Sequence, residues 1–271
     1  MSVGFRYRGT DAPTSAVQRA FLHAAPMDPA PNPQGHCVLC DPEFRASCGY
    51  AAHDEADLLH LIAAALGPAA WLEVGSHTGW TAAHLASAWP KSGGHGVLML
   101  DPEYETARFN DTGSAVRFRV RTLSNLARAG VLDRCTLVGQ PRAEFVGSDA
   151  DSRYAPHGYG GVFIDGCHED PHPIEDAKAA AARLGERGVV VLHDGVGWPV
   201  RRAARWLMDH GFACRVYRTP QVLIVLWRGR FRPPPHKPDL AFPWRAWLEE
   251  VGSHGHPEGS MDLWDLSAEN H

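Results

Sequence analysis

"WLEVGSHTGW", residues 71–80, sets two glycines four positions apart directly behind a short apolar run. The apolar part, 70–74, is too short for a buried helix and ends in glycine, so it reads as a strand buried on both faces. A glycine turn between a strand and a helix lets a ligand approach the backbone closely. Runs of the same kind recur at "GVLML" (96–100), "CTLV" (135–138), "GVFI" (161–164) and "VVVL" (189–192). Helical stretches fall between them at 80–89, 103–110, 119–130 and 173–186. This alternation predicts a parallel sheet joined by right-handed crossovers.

The pattern extends in both directions. Upstream, Leu58, Ile62 and Leu66 recur at helical spacing, with Asp54 and Glu55 in the first turn and Gly67-Pro68 as the stop. Downstream, 199–211 reads as a helix. The strand-like runs 213–219 and 221–228 that follow are separated by Pro220 alone, too little for a crossover, so they pair as an antiparallel hairpin. The expected architecture is a three-layer α/β Rossmann-like fold with a seven-strand, mostly parallel sheet over 54–228. Residues 1–53 read as an arm or cap, with a short helix around Ala16 to Ala24, and 229–271 as a Pro- and Trp-rich tail.

Composition narrows the function classes. Hydrophobic residues make up 44% of the 271, enough for one well-buried core. The charge is −5, from 26 basic and 31 acidic residues, which speaks against a nucleic-acid surface. No apolar run reaches the length of a membrane span, and the start "MSVGFRYRGTDAP" lacks the apolar stretch of a signal peptide, so a soluble, cytoplasmic protein is expected. Six cysteines, at 37, 40, 48, 135, 167 and 214, then read as reduced thiols.

The glycine turn discriminates among ligands. A Walker loop needs a lysine after its second glycine, and "GSHTGW" has none. The dinucleotide fingerprint needs a middle glycine, where Ser76-His77 stand and would crowd a pyrophosphate. What remains is a nucleoside without phosphate. Asp101, ending the second strand in "LMLDP", offers two carboxylate oxygens to a pair of ribose hydroxyls. Its plainer reading is a turn residue before Pro102. Glu73 is placed to sit under the loop, orienting its amides or meeting an amino group.

"LEVGSHTGWTAAHLA", "VLMLDPE" and "VFIDGCHED…GVVVLHDG" together resemble the successive motifs of class I S-adenosylmethionine-dependent methyltransferases. Within that class the chain is most similar to the divalent-metal-dependent small-molecule O-methyltransferases of the catechol type and of the antibiotic sugar-modifying type. The resemblance implies that Glu73, Gly75 and Gly79 shape the cofactor loop. It implies too that the backbone from Ser76 to Trp80 approaches the methionine portion, that Asp101 holds the ribose, and that Gln140 contacts adenine.

A second constellation carries the chemistry. Asp165 and Asp194 end the fourth and fifth strands, where carboxylates from nearby strand tips converge. Two carboxylates with waters suit Mg²⁺ or Ca²⁺, and a bound Mg²⁺ would hold two adjacent acceptor oxygens and lower the pKa of the one to be methylated. His168, three residues after Asp165, is the candidate base. The relatives often carry two adjacent acidic residues where this chain has His193-Asp194. As a ligand, His193 would shift preference toward Mn²⁺, Fe²⁺ or Zn²⁺; alternatively it turns away and makes a structural hydrogen bond.

Weaker signals have plainer readings. Cys37, Cys40, Cys48 and His53 could assemble a zinc site, but their spacing fits a capping loop with ordinary thiols better. Most of the tryptophans, including Trp206, Trp244 and Trp247, are core or interface anchors; Trp198, just past the metal edge, is a candidate pocket wall. The "RRAAR" stretch, 201–205, is a solvated helix face or a binder of acidic substrate. The expected partner is a small-molecule hydroxyl acceptor, and the Pro- and Trp-rich ends are candidate contacts of a homo-oligomer. Two rivals remain: a nicotinamide-dependent reductase, disfavoured by the missing glycine, and a non-catalytic binding protein on the same fold.

Overall fold

In the computed structural model, residues 51, 53–89, 96–105, 112–195, 197–217, 219 and 221–235 are described. The expected arm helix, the Cys37/Cys40/Cys48 group and the tail beyond 235 lie outside them. The chain order is α1 (His53–Leu66), β1 (Trp71–Val74), α2 (Trp80–Ser87), β2 (Val97–Leu100), α3 (Thr112–Arg128) and β3 (Cys135–Val138). It continues with α4 (Arg142–Phe145), α5 (Asp149–Tyr154), β4 (Tyr159–Ile164), α6 (His172–Arg183), β5 (Leu184–Leu192), α7 (Trp198–Asp209), β6 (Ala213–Tyr217) and β7 (Leu223–Arg228).

The seven strands run in the order β3-β2-β1-β4-β5-β7-β6. Pairing is parallel from β3 to β5; β7 then lies antiparallel to both β5 and β6. Alternate residues explain the layers. Trp71, Met99, Phe163, Val191 and Val225 face α1, α2 and α3, where Leu58, Leu59, Ile62, Leu85 and Leu126 meet them. Leu72, Leu98, Val162, Val190 and Leu226 face the opposite way, onto Phe145, Ala177, Val200, Ala203 and Leu207. Each large aliphatic buried in this way stabilises by about 1.5–3 kcal/mol against exposure, so the central strands are covered on both faces; β3, expected to be buried on both faces, is an edge strand only partly covered, with Thr136 exposed. Room for Trp71 comes from its register partner Gly161, where an added Cβ would lie 2.3 Å from the indole.

Sequence periodicity misplaces some element ends. The helix expected at 103–110 is a single 3₁₀ turn at Pro102–Tyr104 in its first residues, because the Asp101 carboxylate accepts the Glu103 amide and caps it there; 106–111 lie outside the described residues. The helix expected from 119 begins at Thr112. β5 begins at Leu184 rather than 189: the polar, glycine-containing "LGERG" pairs with Tyr159 and Arg228, so tertiary partners override local composition. Helices α4 and α5 were not anticipated.

The strand order reverses between β1 and β4, and in open α/β sheets ligands bind beyond the carboxyl ends of the strands at such a point. Four adjacent tips therefore define the site: β2, β1, β4 and β5.

Candidate functional site

The loop after β1 is held by a close approach. Gly75 has φ +83°, and an added Cβ would fall 2.2 Å from the Asp165 carbonyl oxygen, so only glycine lets the β1 and β4 tips meet here. Gly79, also left-handed, precedes α2. The carbonyl of His77 accepts from Tyr104 Oη at 2.8 Å, and that of Thr78 from Asn125 Nδ2 at 3.1 Å. Ser76, almost fully buried, donates through Oγ to the Glu73 carbonyl at 3.3 Å.

Glu73 is fully buried beneath this loop. Its Oε1 accepts from Thr81 Oγ1, while Oε2 has no partner among the described residues. Burial pushes the carboxyl up to about 8, with the neighbouring Asp165 and Asp101 charges adding to the effect, so the group is protonated near neutral pH.

Asp101 joins two loops. Oδ2 accepts the His77 amide and Oδ1 the Glu103 amide, each at 2.9 Å. The turn role is thus present in the structure. An ionised carboxylate has about four acceptor positions, which leaves capacity for hydroxyls.

At the β4 and β5 tips the carboxylates converge. His168 Nε2 lies 3.1 Å from Asp194 Oδ2 and 3.4 Å from Asp165 Oδ1. One ligand atom each from Asp165, His168 and Asp194 falls within 4.8 Å of the others, metal-ligand spacing. Burial would raise the Asp165 carboxyl, but the His193 and His168 rings outweigh it and hold it below the ordinary range. The hydrogen bond to Asp165 leads the causes that raise His168 above an ordinary imidazole.

His193 does not present a free nitrogen to an ion. Its Nδ1 lies 2.9 Å from Asp165 Oδ1 and 3.1 Å from Asp194 Oδ2, and its Nε2 lies 3.3 Å from Glu55 Oε2. Burial opposes its charged form, yet the carboxylates prevail and raise it well above 6.5. Of the two roles expected of His193, the ring's place between the carboxylates is that of the structural hydrogen bond, and the ligand-spaced group comprises Asp165, His168 and Asp194.

One cavity of about 650 Å³ spans these tips, lined among others by Gly75, Ser76, Asp101, Asp165, His168 and Asp194. Trp80 lines it too, whereas Gly79 lies behind the loop against Leu126 and Met99. Gln140 is exposed and outside the lining, where Pro141, Arg142 and Ala143 stand instead. Trp198 is likewise outside it; its ring lies 5.9 Å from the Arg201 guanidinium carbon. Arg142 links Asp176 (2.5 Å) and Glu175 (3.1 Å) along the wall. Sequence reading missed Tyr104, Asn125, Arg142 and Asp176, since nothing local marks contacts that reach across 27 to 47 residues.

The seven-strand sheet, parallel from β3 to β5 with β7 antiparallel between β5 and β6, is the Rossmann-like methyltransferase fold. Residues 72–195 match the family model described as a methyltransferase domain, which bears out the class read from the motifs. Among solved structures, a cofactor-bound protein from MTB is 19% identical with a TM-score of 0.56, the match covering 78% of this chain and 96% of that one. The O-methyltransferase TomG from Streptomyces achromogenes, in complex with SAM, is 19% identical with a TM-score of 0.52, covering 70% and 91%. An O-methyltransferase from Bacillus cereus in complex with SAH is 13% identical, TM-score 0.53, covering 79% and 98%. No curated protein matches the sequence.

Proposed function

We propose that the protein transfers the methyl group of S-adenosylmethionine to a hydroxyl oxygen of a small molecule, with a divalent cation at the β4 and β5 tips. The observation that carries this reading is that the glycine loop, Asp101 and the Asp165/His168/Asp194 group all face one cavity. The bound complexes of TomG and the Bacillus cereus enzyme support S-adenosylmethionine as the donor.

The residues fit a hard cation: the Asp165 and Asp194 carboxylates lie at ligand spacing, partly exposed to solvent, with the His168 imidazole beside them. Asp165 and Asp194 would hold it, and it would supply Lewis-acid polarisation of the acceptor oxygen. The chain's own residues do the rest. The 75–80 loop positions the sulfonium, and Asp101 takes the ribose hydroxyls with its remaining acceptor capacity. The S–CH₃ bond breaks as the O–CH₃ bond forms, and the hydroxyl proton passes to His168 Nε2, leaving S-adenosylhomocysteine. Most of the acceleration is alignment of donor and acceptor, with the base contributing proton removal.

Calorimetry with S-adenosylhomocysteine and NADH side by side tests the cofactor. Binding of the first and not the second is expected; the reverse would end the methyltransferase reading. With an acceptor in hand, His168→Ala lowers kcat by about 10²-fold or more, and a loss under about tenfold would remove the base assignment. Asp165→Ala abolishes cation-dependent turnover; unchanged, cation-independent transfer would remove the metal.

A further inference from the structure

Glu55 has no role in the mechanism above, yet it is a fully buried carboxylate at the head of α1, 138 residues from His193 in sequence. Its Oε1 accepts the Gln221 backbone amide at 2.7 Å, and its Oε2 meets His193 Nε2 at 3.3 Å. The other nitrogen of the same ring faces Asp165 and Asp194 at once. We propose that Glu55 is a positioning residue that fixes the His193 ring so that Nδ1 donates to both Asp165 and Asp194, setting the separation of the two carboxylates. Its catalytic consequence rests on the methyltransferase reading; the geometry does not.

Three observations support this. An imidazole turned over about Cβ–Cγ puts a carbon where Nδ1 stood, and the edge-on contact with Phe163, at 6.0 Å and 73°, does not distinguish the two orientations. The Glu55 carboxylate does, because it accepts from Nε2 and offers nothing to carbon. Charge points the same way. Two acidic residues on neighbouring strand tips repel each other unless donors stand between them, and beside the more exposed His168 the buried donor is His193 Nδ1, which stands there in the ring orientation that turns Nε2 to Glu55. Finally, Ala51 and Gln221 line the same cavity, so Glu55 ties α1 and the turn before β7 to the site it orders.

Glu55→Gln supplies one acceptor oxygen for two donors, the Gln221 amide and His193 Nε2, so one contact is lost with little change of shape. In the full chain, Mn²⁺ affinity falls about tenfold or more in Glu55→Gln, the size expected for partners that orient ligands. The kcat falls with it, while KM for S-adenosylmethionine stays within about twofold. In a His193→Asn background, Glu55→Gln then has no further effect on Mn²⁺ affinity, because its influence passes through that ring. A merely structural Glu55 would lower the melting temperature and act equally in both backgrounds. Unchanged Mn²⁺ affinity in Glu55→Gln, or a loss that persists without His193, overturns the proposal. ¹⁵N spectra of the unmodified, metal-free protein judge it without any variant: His193 Nε2 must carry a slowly exchanging proton, and a lone pair there overturns it. The spectra report on the ring whether or not the protein transfers methyl groups. A wild-type chain that binds no Mn²⁺ would remove the cation from the proposed function and leave Glu55 to that measurement.

Discussion

Gly75 sits where the cofactor loop and the acid-bearing β4 tip touch, and two penalties coincide there for any other residue. Left-handed backbone costs an L-residue about 1–2 kcal/mol, and a Cβ 2.2 Å from the Asp165 carbonyl forces backbone to move. Gly75→Ala is therefore expected to destabilise by about 3 kcal/mol or more, combining the conformational cost with overpacking strain, and to displace Asp165 as well. Urea unfolding reads the first effect and Mn²⁺ affinity the second; a wild-type midpoint would contradict the close approach. Glu73 gives a prediction with a definite sign. Its carboxyl is raised from 4.5 to about 8, so between those values the folded chain keeps a proton that the unfolded chain has lost. Stability attributable to this group then falls as pH rises through that window and levels off above it, a penalty of about 5 kcal/mol at most. Glu73→Gln, which resembles the protonated acid, is expected to raise the melting temperature at pH 8 and to leave it unchanged near pH 4.5. A pH-independent difference would show that burial does not hold the proton. At this scale, the residues legible in the sequence were those ending strands: Asp101, Asp165 and Asp194 are polar groups set directly behind apolar runs. Glu55 was visible only as a first-turn acid, because its partners lie just past β5 and beyond β6.

Element ends were less legible than element identities. Strands β1, β2, β4 and β7 announce themselves because two covered faces demand continuous apolar runs. The opening of β5 and the short α4 and α5 carry no such demand, and long-range partners decide them. One such partner set is the network at the start of β4. Asp151, fully buried, caps the Gly147 amide at 2.7 Å, accepts from Tyr159 Oη at 2.7 Å and pairs with Arg183 Nε at 2.7 Å. Burial pushes its carboxyl up, but Arg183 and the two other donors outweigh burial and bring it below the ordinary range. Its contribution is thus present above the ordinary carboxylate range and fades as pH falls through the lowered value. Arg183→Ala leaves that carboxylate buried without its cation and is expected to cost about 3–5 kcal/mol. The cost falls on α5, β4 and α6, whereas the cavity lies beyond the other end of β4. The S-adenosylhomocysteine affinity of the folded variant should accordingly match the wild type; a parallel loss would mean that the network also shapes the site.

At the scale of the whole molecule, the sheet order brings two chemically different halves of a site together. The β1 and β2 tips supply backbone amides, a buried acid and Asp101; the β4 and β5 tips supply the carboxylate–histidine group, and one cavity spans both. Because separate strands carry the halves, ligands of each should stabilise the fold separately. S-adenosylhomocysteine at a hundred times its Kd adds about 2.7 kcal/mol to the folded state. For a domain of this size that is a rise of about 5–10 °C in melting temperature. Mn²⁺ should add its own increment, and Asp165→Asn is expected to abolish that increment while keeping most of the S-adenosylhomocysteine shift, since the amide preserves shape and removes charge. Thermal scans with each ligand alone and with both, on wild type and variant, decide it. If Asp165→Asn removes both shifts together, the two halves are one cooperative unit and the cavity orders only when its charges are intact.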